Sequence, residues 1–272
     1  MATLHPTALV DSNAILGQDV VIGPYCVIGP NVELGDNVHL ISHVVVDGRT
    51  KIGAETKIFP FASIGQIPQD LKYHGEPSTL EIGRRNQIRE YVTIQPGTEG
   101  GGMITTVGDN CLFMASAHVA HDCKVGDNVI MANNATLAGH VTVGEWAFLG
   151  GLCAVHQFVR IGRHAMIGGM SGVESDVIPF GTVIGNRAHL NGLNIVGLKR
   201  RGFTRDEIHS LRNAYRLLFA PEGTLQERLS DVEEQYKDHP VVNEITAFIR
   251  AETNRQFCVP PFGGSPIGGE SA

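Results

Sequence analysis

Residues 20–35 read VVIGPYCVIGPNVELG, and this stretch contains the pattern that decides the fold. Ile22, Ile28 and Leu34 lie six positions apart, and a glycine follows each of them. The same spacing of aliphatic residues begins at Leu4 and continues, with two interruptions, to Val173. A period of six fits neither an amphipathic helix nor an alternating strand. It is typical of the hexapeptide repeats that build parallel β-helices.

Each six-residue unit can supply one short strand and one corner, with its aliphatic side chain pointing inward. Three units then close a triangular coil of 18 residues, and successive coils stack at the usual strand spacing of about 4.8 Å. Every backbone group finds a partner in the coil above or below. The glycine after the aliphatic residue suits a corner that needs close packing or a positive φ. An aromatic content of only 6% alongside 33 glycines agrees with such a solenoid.

The length of the chain, 272 residues, allows one solenoid of about ten coils and a smaller appended unit. We predict a mainly β protein, with a β-helix domain over residues 1–190 and a small α-helical domain over 191–258. Thr204-Arg-Asp-Glu207 and Thr224-Leu-Gln-Glu227 are capping-box sequences, and each predicts the start of a helix. A third amphipathic helix is predicted after Pro240. The tail, residues 259–272, is rich in Gly and Pro and is predicted to be disordered.

Charge and composition argue against several classes of protein. A net charge of −7 is unfavourable for general nucleic-acid binding. The five cysteines form no CxxC pair and are odd in number, which argues against a disulfide framework or a structural zinc site and favours reduced, packed side chains. No basic segment followed by an apolar run opens the chain, and no stretch reaches 18 apolar residues. We therefore expect a cytoplasmic protein without a membrane span.

Two segments interrupt the period of six. Asp70 and Glu76 occupy positions where aliphatic residues are due, in a segment over 65–79 that has Pro and Gly at its turns and should leave the coil as a loop. Pro96-Gly-Thr-Glu-Gly-Gly-Gly-Met103 is a glycine-rich bulge that shifts the register by one residue. Insertions between repeats tend to carry the binding surface of a solenoid. The alternative is that both segments are insertions that the fold tolerates and that have no function.

Three histidines fall on the same side of successive coils. Repeat units 18 residues apart stack on one another, and three such units contain His121, His140 and His156. A solvated ladder of imidazoles is one interpretation, and a functional site within about 10 Å is the one we favour. Asp122 follows His121, so its carboxylate could orient the imidazole for general-base catalysis, but only if a corner lies there. The alternative is a zinc site on His118, His121 and His140 resembling that of gamma-class carbonic anhydrases, although that class spaces its ligands differently.

Motifs spread over residues 1–255 carry a specific resemblance. They are His-Val-Val-Val (43–46), Phe-Ala-Ser-Ile-Gly (61–65), Gln-Asp-Leu-Lys-Tyr (69–73), His-Val-Ala-His-Asp-Cys (118–123), Ala-Asn-Asn-Ala-Thr-Leu-Ala-Gly-His (132–140), Ala-Val-His-Gln-Phe (154–158) and Gly-Leu-Lys-Arg-Arg-Gly-Phe (197–203). On these motifs the chain resembles the acyl-carrier-protein-dependent UDP-N-acetylglucosamine O-acyltransferases, which catalyse the first step of lipid A biosynthesis. The resemblance implies a homotrimer of left-handed β-helices with an active site in each cleft between subunits.

The resemblance also implies a reaction and the residues that perform it. An (R)-3-hydroxyacyl chain would pass from acyl carrier protein to the 3-hydroxyl of UDP-N-acetylglucosamine, with no cofactor, no metal and no covalent enzyme intermediate. His121, next to Asp122, would be the general base, and the N–H of Gly139 would stabilise the oxyanion. Gly169 would set the acyl-chain length by leaving room for a long chain, although by itself it reads as a corner glycine. The implied substrate-binding residues are Gln69, Asp70, Lys72, His118, His140, His156, Gln157, Asn194 and Arg200.

A basic run starts just before the first predicted helix. It comprises Lys199, Arg200, Arg201, Arg205, Arg212 and Arg216. It could be a solvated helix face, but an acidic carrier protein and a diphosphate both need such a patch, and we favour a dock for the carrier protein. The chain departs from the usual residues of the family at Gln95, Arg187 and Val196.

Two other classes of protein share the hexapeptide pattern. The N-acyltransferase of the same pathway carries a separate N-terminal domain before its solenoid, whereas the hexads here begin at Leu4. A non-catalytic scaffold or ice-binding protein would show a repetitive threonine face, and it would leave the histidine and loop motifs unexplained.

Overall fold

The computed structural model describes residues 1–253 and 255–261, and most of these residues belong to very short strands and the corners between them. The strands are β1 (Thr3–Leu4), β2 (Leu9–Val10), β3 (Ile15–Leu16), β4 (Val21–Ile22), β5 (Val27–Ile28), β6 (Glu33–Leu34), β7 (His39–Leu40), β8 (Val45–Val46), β9 (Arg49–Ile52), β10 (Lys57–Ile58), β11 (Ser63–Ile64), β12 (Thr79–Ile82), β13 (Gln87–Ile88), β14 (Thr93–Ile94), β15 (Ile104–Val107), β16 (Leu112–Phe113), β17 (His118–Val119), β18 (Lys124–Val125), β19 (Ile130–Met131), β20 (Thr136–Leu137), β21 (Thr142–Val143), β22 (Phe148–Leu149), β23 (Ala154–Val155), β24 (Arg160–Ile161), β25 (Met166–Ile167), β26 (Gly172–Val173), β27 (Gly181–Ile184) and β28 (His189–Leu193).

Up to β26, strands pair with the third strand along the chain, in parallel, whereas β27 pairs with β25 and, antiparallel, with β28. Val119 pairs with Leu137, and Leu137 pairs with Val155, so the register advances by one coil each time. The first sheet has the order β1-β4-β7-β10-β13-β16-β19-β22-β25-β27-β28, the second β2-β5-β8-β11-β14-β17-β20-β23-β26 and the third β24-β21-β18-β15-β12-β9-β6-β3. These sheets form the three faces of a prism, and the predicted parallel β-helix is confirmed.

The core is the column of inward side chains. Ile28 is 2% exposed, and Leu40 and Ile58 are fully buried. Leu4, in the first coil, remains 46% exposed because no coil covers that end of the prism. Burying an aliphatic side chain of this size contributes about 1.5–3 kcal/mol, so the stacked column supplies most of the stability of the prism.

Glycines at the corners serve close packing, and one of them, Gly65, also has a positive φ of 79°. Gly23 lies outside the positive-φ region, but a Cβ there would collide with the carbonyl oxygen of Ile41 in the next coil. The positive φ falls two residues later, at Tyr25, with φ of 59°. Of the two reasons that the pattern allowed for these glycines, tight packing holds at Gly23, and an unusual angle is present at Gly65. The non-glycine residues with positive φ at the corners include Asp19, Asn37, His43, Phe61, Tyr91, Asp122, Asn134, His140, Trp146, Leu152, Phe158, His164, Met170 and Phe180.

Both predicted interruptions leave the coil and lie side by side. The site loop (residues 65–78) connects β11 to β12, and the glycine bulge (residues 96–103) connects β14 to β15 and contains a short 3-10 turn at Glu99–Gly101. Glu76 Oε1 accepts a hydrogen bond from the Glu99 N–H at 3.1 Å. Gln95, just before the bulge, accepts one from the Gln69 N–H at 3.2 Å through Oε1. The bulge therefore supports the loop.

Four helices follow the prism within the described residues: α1 (Ile195–Arg200), α2 (Arg205–Leu218), α3 (Leu225–Gln235) and α4 (Pro240–Arg250). The capping boxes at Thr204 and Thr224 are both formed, which confirms the starts of α2 and α3. Helix α1 was not among the predicted helices, and its N-cap Asn194 accepts from the Gly197 N–H through its side chain. Strand β28 runs across the predicted boundary at residue 190, and the division into domains stays a prediction.

The C-terminal segment returns to the end of the prism. Glu244 on α4 accepts hydrogen bonds from the guanidinium of Arg163, one of them at 2.6 Å. The carbonyl of Val259 accepts from the Leu190 N–H, so the chain is still bound at the start of the predicted tail. Residues 262–272 of that tail lie outside the described residues.

All five cysteines are buried and free, as predicted. Burial raises the pKa of the Cys123 thiol to about 12. Within residues 1–253 and 255–261, none of the helices has the length and apolar composition needed to cross a bilayer.

Candidate active site

His121 and Asp122 stand where the chain leaves β17 for the next corner. Asp122 has a φ of 60°, so the corner needed to bring its side chain beside that of His121 is present. His121 Nδ1 lies 2.8 Å from Asp122 Oδ2. Both residues are buried, with exposures of 6% and 4%. The pair is therefore a fixed unit in a site that water enters poorly.

The Asp122 carboxylate accepts hydrogen bonds from the glycine bulge as well. The Thr98 N–H donates to Oδ1 at 2.9 Å, and the Thr98 hydroxyl donates to Oδ2 at 2.6 Å. The Asp122 N–H donates in turn to Thr105 Oγ1 at 2.7 Å. Because the carboxylate acts as an acceptor throughout, Nδ1 of His121 is the donor in their shared bond, and the lone pair is left on Nε2.

Gly139 lies directly against the His121 ring. A Cβ at this position would lie 2.5 Å from Cε1 and 2.6 Å from Nε2. Among the backbone hydrogen bonds of the described residues, the Gly139 N–H donates none, whereas the next N–H, that of His140, donates to the His121 carbonyl at 3.0 Å. Elsewhere the slot just before a positive-φ residue holds Pro24 and Pro60, which have no N–H. The hydrogen bonds between coils therefore do not need the N–H of the residue in this slot. At Gly139 this N–H is free to donate, close to the His121 ring.

The neighbouring histidines are less basic than free imidazole. Burial lowers the pKa of His118, and its Nδ1 lies 2.6 Å from Thr93 Oγ1. Burial also lowers the pKa of His140, which stacks on Phe158 with ring centroids 4.4 Å apart and lies edge-on to His121 at 5.0 Å. These rings surround His121 with hydrogen-bonding groups that are uncharged at neutral pH.

The site loop brings charged side chains to the mouth of the site. Asp70 Oδ2 lies 3.9 Å from His121 Nε2. The backbone N–H of Lys72 donates to Asp70 Oδ1 at 3.0 Å, while the Lys72 side chain is exposed. Gln69 is exposed, and its N–H is held by buried Gln95. The site loop therefore places a carboxylate and other polar groups near Nε2, where a polar ligand could contact them.

His121, Asp122 and His140 each offer one possible metal-ligand atom, and these atoms lie within 4.8 Å of one another. The Asp122 oxygens already accept from Thr98 and from His121. The carboxylate is thus already held by three donors, which favours a hydrogen-bonded acid-base pair over a metal centre.

Comparisons with known proteins point to one family. A family model described as UDP-N-acetylglucosamine O-acyltransferase, domain 2, matches residues 176–258, and models of hexapeptide repeats match 2–36, 13–48, 104–139 and 158–192. The enzyme of Caulobacter vibrioides named acyl-acyl-carrier-protein–UDP-N-acetylglucosamine O-acyltransferase is 54% identical over 95% of this chain and 98% of its own length. The chain belongs to this family of UDP-N-acetylglucosamine O-acyltransferases.

Other members of the family agree in sequence and in structure. The enzyme of the same name from Methylobacterium radiotolerans is 68% identical over 78% of each chain. A crystal structure of the Francisella novicida UDP-N-acetylglucosamine acyltransferase superposes with a TM-score of 0.92 at 36% identity, covering 96% of this chain and 95% of that one. The fold is the left-handed parallel β-helix that the sequence resemblance implied.

Two residues that the family resemblance assigned to substrate binding lie away from His121 in this chain. Asn194 caps α1, and its side-chain amide donates to the carbonyl of His164, at a different corner of the prism from Asp122. Exposed Arg200 ends the same helix, and its neighbour Arg201 donates to the Trp146 carbonyl at that corner. A single subunit therefore does not bring Asn194 and Arg200 to the His121 pair.

The remaining predicted residues are exposed on the outside of the prism. His156 Nδ1 lies 2.7 Å from an Arg255 guanidinium nitrogen, and Gln157 beside it is exposed. Gly169 is exposed as well, and a Cβ there would lie 3.3 Å from the Gly151 carbonyl oxygen, one coil below.

Sequence reasoning missed two supports of the site. Thr98 was read only as part of a bulge, yet it supplies two hydrogen bonds to Asp122. Gln95 was noted as a departure from the family, yet its side chain holds the site loop. The only sequence signal for either was their position at the break in the hexapeptide period.

Proposed function

We propose that this chain transfers an (R)-3-hydroxyacyl group from acyl carrier protein to the 3-hydroxyl of UDP-N-acetylglucosamine, the first step of lipid A biosynthesis. The observation that carries the proposal is the His121 imidazole, oriented by Asp122, with the unused Gly139 N–H beside it. The names of the Caulobacter and Methylobacterium relatives specify this donor and acceptor, which supports the same substrates here.

The chemistry needs one base and one oxyanion donor. His121 Nε2 removes the proton of the sugar hydroxyl while its oxygen attacks the thioester carbonyl carbon. The tetrahedral oxyanion forms next to the Gly139 N–H, which donates a hydrogen bond to it. As the intermediate collapses, the C–S bond breaks and the imidazolium returns its proton to the leaving thiolate. The ester and the free carrier thiol are the products, and no bond to the enzyme forms.

The site loop and the histidines around His121 provide the polar contacts for the acceptor. We assign Asp70 and Lys72 to the glucosamine and its neighbourhood because they stand at the mouth of the site. Gln69, His118 and His140 line the same region. Uncharged imidazoles suit a sugar, since each can both donate and accept a hydrogen bond.

A homotrimer would complete the binding site. Because Asn194 and Arg200 lie at another corner of the prism, a neighbouring subunit is needed to bring them to His121. The outer corner that carries Tyr25, Phe61 and Tyr91 also has large exposed aromatic rings, with exposures of 58%, 49% and 58%. An exposed apolar strip of this kind favours contact between subunits. His156 and Gln157 would then contact ligand in the cleft.

The acyl chain is assigned to the outer surface near Gly151 and Gly169, which stack one coil apart. Leu152 and Met170 follow them in sequence and are 60% and 75% exposed, so the small residues adjoin apolar side chains. A side chain at position 169 would lie beside Gly151 on this surface, which supports Gly169 as the position that sets chain length.

The carrier protein is assigned to the basic run on α1 and α2. Arg200, Arg205, Arg212 and Arg216 are exposed, whereas Arg201 packs against Trp146. An exposed cluster of arginines in an acidic protein suits an acidic partner. Both proposed substrates are water-soluble, which fits a cytoplasmic protein.

His121→Ala tests the reaction and the role of the base. We expect purified protein to acylate UDP-N-acetylglucosamine from carrier proteins charged with 3-hydroxyacyl chains of different lengths, with undiminished rate after chelator treatment. The His121→Ala variant should lose turnover by about 10²-fold or more and keep the oligomeric mass of the parent, measured by light scattering. Full activity in the variant, or loss of activity with chelator, would refute the assignment.

A further inference from the structure

The glycine bulge wraps around the side chain that orients His121. Thr98 donates to both oxygens of Asp122, through its N–H to Oδ1 and through its hydroxyl to Oδ2. A Cβ on Gly101 would collide with the same carboxylate. The glycine at position 101 therefore has a steric reason, because only a residue without a side chain there lets the bulge close over Asp122.

The contact between Thr98 and Asp122 is sealed from solvent. Thr98 is 4% exposed, and the Asp122 side chain is fully buried. Water cannot readily replace the hydroxyl donor at such a place, so its loss would leave a buried carboxylate oxygen short of a partner. The strength and direction of the bond from His121 Nδ1 to Oδ2 then depend on Thr98, because the same oxygen accepts both bonds.

We propose that Thr98 is a positioning residue for the acyl transfer, acting on His121 through Asp122. It holds the carboxylate in the plane that keeps the proton on His121 Nδ1, and it withdraws part of the negative charge that would otherwise bind that proton more tightly. The inference rests on the proposed role of His121 as general base. Thr98 touches neither substrate nor reacting atoms, so its effect belongs to turnover and to the pH dependence rather than to substrate binding.

Removal of the hydroxyl alone has a specific consequence. In Thr98→Val the side chain keeps its shape and the backbone N–H still donates to Oδ1, so Asp122 should stay in place. The carboxylate loses one donor and becomes a stronger acceptor toward the imidazolium. The protonated form of His121 is then favoured, and a larger share of the enzyme is inactive at low pH.

The test is a steady-state comparison of the intact enzyme with Thr98→Val, Thr98→Ser and Thr56→Val across the pH range. Thr56 is a matched control because it is also fully buried, donates to the Gly83 carbonyl at 3.2 Å and accepts from the Asn86 N–H, in a coil remote from His121. For Thr98→Val we expect kcat to fall by about 10–100-fold, with KM for both substrates unchanged. The acid limb of its kcat/KM profile should move to higher pH. Thr98→Ser should restore both quantities, and Thr56→Val should lower only the melting temperature.

Two results would overturn the inference. The first is that Thr98→Val keeps the kcat and the pH profile of the parent enzyme. The second is that kcat falls in Thr98→Val while the pH profile of kcat/KM stays in place, and that Thr98→Ser does not restore kcat. If His121→Ala is inactive while Thr98→Val behaves as the parent, this inference alone fails. If His121→Ala is fully active, the proposed role of His121 fails with it.

Discussion

Replacement of Gly139 by alanine provides a direct test of the site geometry. The new Cβ would lie 2.5 Å from His121 Cε1 and 2.6 Å from Nε2, whereas carbon atoms in contact settle at about 3.5 Å or more. The ring or the corner must therefore yield by about 1 Å. The ring is held by its 2.8 Å bond to Asp122, so either the base or the oxyanion donor leaves its place.

A displacement of about 1 Å at the reacting atoms typically costs about 10²-fold in rate, which corresponds to about 2.7 kcal/mol of transition-state stabilisation. Gly139 lies outside the positive-φ region, so alanine is compatible with its backbone and the coil should still form. We expect Gly139→Ala to lower kcat/KM for acyl transfer by about this factor while it remains folded, measured by thiol release and by circular dichroism.

Gly35→Ala is the matched control for this prediction. A Cβ on Gly35 would lie 2.8 Å from the Ala54 backbone nitrogen, an equally tight contact in a coil far from His121. It should lower the melting temperature and leave kcat of the folded enzyme unchanged. Parental kcat/KM in Gly139→Ala, or an equal loss in Gly35→Ala, would refute the assigned geometry.

Two further predictions concern the surface assigned to the acyl chain and the corner that holds His164. Gly169→Met should shift the preference toward shorter acyl donors, because its side chain would occupy the surface beside Gly151 that is assigned to the acyl chain; an identical donor profile with carrier proteins of several chain lengths would contradict this role. His164 is 3% exposed between Trp146 and Phe180, and burial, followed by the charges of Arg163 and Arg201, lowers its pKa to about 4. The folded state therefore binds fewer protons than the unfolded state between about pH 6.5 and 4. As the pH falls through that window, His164 should lower the free energy of unfolding by up to about 1.4 kcal/mol per pH unit. His164→Phe should flatten the dependence in urea titrations, since Phe180 already occupies the same positive-φ slot in the next coil; an unchanged slope would argue against a neutral buried His164.

Most of the prism could be predicted from local pattern. The inward position of Ile28, Leu40 and Ile58 follows from a period of six, since a strand of two residues and a corner of four repeat without long-range information. The corners were harder to predict. Glycine suggests a positive φ, yet Tyr25 and Asp122 adopt it, and the N–H of each donates to a threonine hydroxyl of the preceding coil, that of Thr7 or Thr105. Helix α1 is not evident from the sequence because it is only six residues long and contains Gly197, although its N-cap Asn194 is a preferred capping residue.

The site was only partly predictable. The stacking of coils placed His121 and His140 on one side, and the structure brings their rings to 5.0 Å. The pairing of His121 with Asp122 depended on the presence of a corner, which the sequence alone left open. The role of Thr98 could not be read from spacing, because it lies 24 residues from Asp122 and reaches it only through the bulge.

The amino-acid sequence by itself determined the period, the winding of the chain into stacked coils and the places where the period breaks, because each hexad needs only its own aliphatic residue and its own close-packed corner. Only the tertiary structure decided what the breaks are for. The glycine bulge closes over Asp122, and the site loop contacts the bulge, because residues far apart in sequence share hydrogen bonds across coils. A repeat specifies the contacts of successive hexads, whereas the orientation of His121 is set by groups that only the folded prism brings together.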